Sequence, residues 1–71
     1  MKTPYDLRVD FLTYVTSLRE EAQQELDLFE SGTVVMRRNG EVITAEIVER
    51  IKATIAKHDD LIAKLERELS A

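Results

Sequence analysis

The stretch Gly32-Thr33-Val34-Val35-Met36-Arg37-Arg38-Asn39-Gly40-Glu41-Val42-Ile43 decides the fold, because it holds both glycines of a 71-residue chain. The only proline is Pro4, so the long segments on either side carry no internal breaker. Breakers confined in this way imply two long elements joined at one central turn. Within the stretch, Asn39-Gly40 is the dipeptide most favoured for a type I′ turn, which needs positive φ at both central residues. The flanks Val34-Val35-Met36-Arg37-Arg38 and Glu41-Val42-Ile43 then pair with Arg38 facing Glu41 and Met36 facing Ile43, which puts Val34, Met36 and Ile43 on one face. A lone two-stranded ribbon is marginal in water, so it must rest on the helix ends or pair with a second ribbon. The alternative over 33–43 is an irregular loop that carries the turn.

Outward from this punctuation both flanks read as helices. Thr3 is placed to cap the first, Pro4 follows at the position where a missing N–H costs nothing, and Asp6 stands three residues after the cap, where its carboxylate reaches back. Helix 1 is expected over about 4–31, stopped by Gly32, which takes the left-handed conformation that closes a helix. Thr44 is the expected cap of helix 2, which runs over about 45–69 with Glu46 in its first turn. At about 100° per residue, Leu7, Phe11, Tyr14, Val15, Leu18, Ala22, Leu26 and Phe29 form one broad stripe on helix 1, with Leu12 at its edge. On helix 2, Val48, Ile51, Ile55, His58, Ile62, Leu65 and Leu69 alternate steps of three and four residues, a coiled-coil seam with one polar member, broadened by Ile47 and Leu61. Two packed helices need only a narrow strip each, so apolar area is left over once the hairpin closes.

Length turns that surplus into an expectation of association. A compact 71-residue globule has a radius of gyration near 11 Å, whereas a 28-residue helix is about 42 Å long. The chain is therefore expected to be a single domain over 1–71, mainly α, folded as a long antiparallel helical hairpin. Its open side is expected to be covered by a second copy in a four-helix bundle. The shared seam falls to Phe11, Val15, Leu18, Leu26 and Phe29 with Ile51, Ile55, His58, Ile62 and Leu65. Other staples for so short a chain are excluded or weak: it has no cysteine and one histidine, so disulfides and thiolate zinc sites are absent and an imidazole metal site has too few ligands.

Composition narrows the function classes. Charged residues make up 34% and the net charge is −4, a balance that opposes general binding to a phosphate backbone. No apolar run approaches the roughly 18 residues of a membrane span, and Met1-Lys2-Thr3-Pro4-Tyr5-Asp6 enters charged sequence at once, unlike a signal peptide. A cytoplasmic protein without a membrane contact is expected. No G-x-S-x-G elbow, phosphate-cradling glycine loop or spaced histidine pair occurs, and Ser17, Ser31 and Ser70 have no base in a nearby register. Neither enzymatic activity nor a cofactor is expected.

Individual candidates remain. His58, inside the seam between Ile55 and Ile62, is either a pH-responsive imidazole or a polar residue that fixes helix register. His58-Asp59-Asp60 superficially suggests a metal cluster, yet consecutive helical side chains diverge by about 100° and cannot converge on one ion. Arg37-Arg38 is the one compact basic spot, either a phosphate or carboxylate contact or an ordinary charged turn beside Glu41.

A two-helix hairpin that dimerises into a bundle resembles the Rop architecture at the level of fold. No sequence motif matches, and helix 1 exposes a mixed, acid-rich surface, so RNA binding of the Rop type is not implied. The leading expectation is a homodimeric module that binds another protein, as adaptor, chaperone or regulatory subunit, through the outlying apolar positions Tyr5, Val9 and Leu28 and the hairpin. The alternatives are a nucleic-acid-associated regulator that grips phosphates through paired Arg37/Arg38 tips, and half of a hetero-oligomer.

Overall fold

A computed structural model describes residues 1–70; Ala71, the last residue of the domain expected over 1–71, lies outside the described residues. Two 27-residue helices, α1 (Pro4–Glu30) and α2 (Thr44–Ser70), pack antiparallel. Between them lies a two-stranded ribbon, β1 (Arg37–Arg38) and β2 (Glu41–Val42). The particle is a rod of 52 × 21 × 20 Å with a radius of gyration of 16.0 Å, against about 11 Å for a compact chain of this length.

α1 begins with a reciprocal capping box. The Thr3 hydroxyl accepts from the Asp6 N–H at 3.1 Å, and the Asp6 carboxylate accepts from the Thr3 N–H at 3.1 Å. Two of the donors that a helix start leaves orphaned are thereby satisfied. The other end closes at Ser31, with Gly32 at φ 80° and its N–H on the Phe29 carbonyl at 3.2 Å. The Ser31 hydroxyl adds a bond to the Leu28 carbonyl at 3.1 Å.

The ribbon keeps the expected register, Arg38 opposite Glu41, and turns through Asn39 and Gly40 at φ 51° and 84°. It is shorter than the sequence pattern suggests. Val34 and Val35 are not part of it, because the Val34 N–H donates to the Leu28 carbonyl at 3.2 Å and ties that residue to the end of α1. Thr44 also departs from its expected role. It lies within α2, and the Ile43 carbonyl takes the first helical bond, from Ile47 N–H at 3.1 Å. That carbonyl is thereby lost to the ribbon, whose remaining partner there is the Ile43 N–H on the Met36 carbonyl at 2.9 Å. The Thr44 hydroxyl fills the gap by accepting from the Met36 N–H at 3.1 Å. One hydroxyl thus joins ribbon and helix where their hydrogen-bond ladders compete for the same carbonyl.

Among the described residues the helix pair buries four side chains, Val15, Leu26, Ile55 and Leu65. Leu18, Ala22, Phe29, Ile51, His58 and Ile62 are half-buried around them. Antiparallel register is marked by Arg8 with Glu68 at 3.8 Å and Arg19 with Asp59 at 3.0 Å. No helix among the described residues is long and apolar enough to cross a membrane.

Candidate functional site

The two flanks of the hairpin differ in chemistry. On one, Arg19 Nε donates to Asp59 at 3.0 Å, Arg19 Nη1 donates to Gln23 Oε1 at 3.2 Å, and Gln23 Nε2 donates to Asp27 at 2.9 Å. This chain of side-chain bonds runs along α1 and crosses to α2 once. It closes that flank with polar groups.

The other flank is apolar and open. Leu7, Phe11 and Tyr14 recur at four and three residues and so share one face of α1. They are 57%, 45% and 59% exposed, although their stripe also supplies the buried Val15 and Leu26. Helix α2 covers the inner half of the stripe, where Val15 and Leu26 lie, and leaves the outer half bare. Further along the same face a shallow groove of about 150 Å³ opens between the helices, lined by Ala22, Glu25, Ile47, Arg50, Ile51 and Thr54. Stripe and groove lie along the same side of the hairpin, with the groove nearer the ribbon.

The accessible surface quantifies the deficit of burial. The chain exposes 5390 Å², whereas a folded monomer of 8.2 kDa exposes roughly 4,500 Å². The surplus of about 900 Å² matches the roughly 800 Å² per partner of a standard protein interface.

The remaining candidates are dispersed. His58 is half-buried in the seam, and its Nδ1 is enclosed without a hydrogen-bond partner among the described residues. Asp59 is turned to Arg19, away from His58. Arg37 and Arg38 are exposed at the ribbon, some distance in the chain from the open strip and flanked by exposed Val35, Met36 and Val42. Tyr5, Val9 and Leu28 are exposed at 57%, 37% and 45%. Among the described residues, no group of three or more His, Asp or Glu side chains is placed to hold a metal ion. Sequence reasoning missed the polar network of Arg19, Gln23, Asp27 and Asp59. Its signal was the spacing of four between Arg19, Gln23 and Asp27, which aligns them on one helix face.

The fold and its surface define a class, the two-helix hairpin with one polar flank closed and one apolar face left uncovered. No family model, curated protein or solved structure matches the chain.

Proposed function

We propose that this chain is a homodimeric protein-interaction module of the cytoplasm, acting without catalysis. Two hairpins join through their open faces into a four-helix bundle that presents its outer surface to another protein. The observation that carries this reading is the uncovered face of Leu7, Phe11 and Tyr14 with the Ala22–Ile51 groove, together with the surplus surface of about 900 Å². A second copy supplies the same strip in return, as a twofold interface requires.

Dimerisation also supplies the depth of core that four buried side chains lack. Tyr5 and Val9 lie about 140° and 180° around α1 from Leu18 at the centre of the strip. They therefore stay exposed in the dimer and are the surface offered to a further partner, with the ribbon. A nucleic-acid role has weaker support, because Arg38 is opposed by Glu41 and the whole chain carries a charge of −4.

Sedimentation equilibrium from nanomolar to tens of micromolar tests the proposal. The expected result is a helical species of twice 8.2 kDa that dissociates on dilution. A folded species of 8.2 kDa across the whole range would refute it.

A further inference from the structure

Two hairpins that share the open face through a twofold axis have two ways to meet. With the axis along the rod, α1 lies against the partner's α2 and both ribbons sit at the same end. With the axis across the rod, α1 lies against the partner's α1 and the ribbons sit at opposite ends. The charges along the edges of the face distinguish the two.

On this side α1 carries Asp10 and Glu21 at its outer edge and Glu25 in line with Leu7, and Asp10 is paired with Lys2. The matching edge of α2 carries Arg50, Lys57 and Lys64, spaced seven residues apart and so stacked in one line at about two-turn intervals. Glu25 and Arg50 stand directly on the rims of the open groove. Glu21, Glu25, Lys57 and Lys64 form no ion pair among the described residues. On the α2 edge Arg50 is paired with Glu46 at 3.0 Å, and Glu68 with Arg8 at 3.8 Å. One edge is thus acidic and the other carries more basic than acidic groups, with Glu21 and Glu25 on the first and Lys57 and Lys64 on the second unpaired among the described residues.

We infer that the second copy docks with its rod axis in the same sense, α1 against the partner's α2, so that the acidic edge of each copy meets the basic edge of the other and both ribbons share one end. This rests on the homodimer proposed above. A rotation about the long axis leaves every residue at its own height, and the heights are known from the intramolecular pairs Arg8 with Glu68 and Arg19 with Asp59. At those heights Asp10 falls within a turn of the partner's Lys64, Glu21 of the partner's Lys57, and Glu25 of the partner's Arg50. The crosswise alternative sets Asp10, Glu21 and Glu25 against the same three residues of the other copy, and the basic line against itself. Like charges so placed select against a pairing.

The chosen arrangement does bring four arginines of the two ribbons to one end. Each Arg38 is opposed by Glu41, and the tips are solvent-exposed, where salt screens charges beyond about 8–10 Å. The same end gathers exposed Val35, Met36 and Val42 from both copies into one two-ribbon platform.

Spin labels on Val42→Cys, in a chain with no native cysteine, read the arrangement directly through the distance between the labels. Ribbons at one end lie within two interaxial spacings of 8–10 Å, so the labels should stand closer than about 30 Å. A distance near the 52 Å rod length in a confirmed dimer would overturn the inference while leaving the homodimer intact. Absence of any dipolar coupling from a species of 8.2 kDa would overturn both. Glu21→Lys adds a readout of opposite sign: at low salt it should weaken association roughly threefold to tenfold, recovered by Lys57→Glu in the same chain. Strengthened association by Glu21→Lys alone would show α1 against α1 and contradict the inference.

Discussion

Phe11→Ala separates a surface residue of a monomer from an interface residue of a dimer. In the isolated hairpin Phe11 is 45% exposed, and fully burying a phenylalanine is worth about 1.5–3 kcal/mol. The fraction still bare therefore carries about 0.7–1.4 kcal/mol per copy, and the two copies together about 1.4–2.7 kcal/mol. Lost from the association free energy, that amounts to a roughly tenfold to hundredfold rise in the dimer Kd. Sedimentation velocity over a dilution series gives the Kd, and circular dichroism at the same temperature confirms that the helices persist. Val9→Ala is the matched control. Val9 is 37% exposed but stands about 160° around α1 from Phe11, so its truncation should move the Kd less than about threefold, in keeping with surface changes of ±0.5 kcal/mol. Equal effects of the two variants, or none from Phe11→Ala, would refute the assignment of the open face as the dimer surface.

Three further outcomes test the fold. Leu26→Ala, at a site 6% exposed, should cost about 2–5 kcal/mol and unfold much of the population at low micromolar concentration, while Leu28→Ala, 45% exposed, should stay within about 0.5 kcal/mol in urea denaturation. Thr44→Val leaves the Met36 N–H without its acceptor and should cost about 0.5–1.5 kcal/mol, seen as a lower Tm, whereas Thr44→Ser should keep most of the stability; equal melting of the two variants would remove the hydroxyl from the account. Gly32 and Gly40 hold φ of 80° and 84°, with nothing within 4 Å of an added Cβ, so the penalty there is conformational alone. L-alanine at either position should destabilise by about 1–2 kcal/mol, and D-alanine in a synthetic chain should stabilise by about 0.4–1 kcal/mol.

The helix boundaries were legible because their signals are local. Thr3, Pro4 and Asp6 specify a helix start by the reach of one hydroxyl and one carboxylate, and Asn39-Gly40 specifies a turn by tolerating positive φ. Thr44 shows where such reasoning stops. A threonine before a helix reads as its cap, but the Ile43 carbonyl had two claimants, the Ile47 N–H and the Met36 N–H. Which one wins depends on how the ribbon meets α2, and the hydroxyl then serves the ribbon. Val34 is a similar case, its β-branched side chain suiting a strand while its N–H is taken by the end of α1.

The surplus of apolar surface was also legible, as stripe width, although its location was not. A 3.6-residue period determines that Leu7, Phe11, Tyr14, Val15 and Leu26 share a broad face of α1, whatever packs against it. The period carries no information on the azimuth at which α2 lies, so Val15 and Leu26 could not be told from Leu7 and Tyr14. Packing decided that, by setting Arg19 against Asp59 and so turning the polar edge of each helix to one flank and the acidic and basic lines to the other. Sequence alone determined a first helix with its cap, a second long helix, a positive-φ turn and more apolar area than one hairpin can hide, because these follow from neighbours along the chain. Tertiary structure decided which residues that area comprises, because the angle between two helices is set by contacts made across the whole length of both.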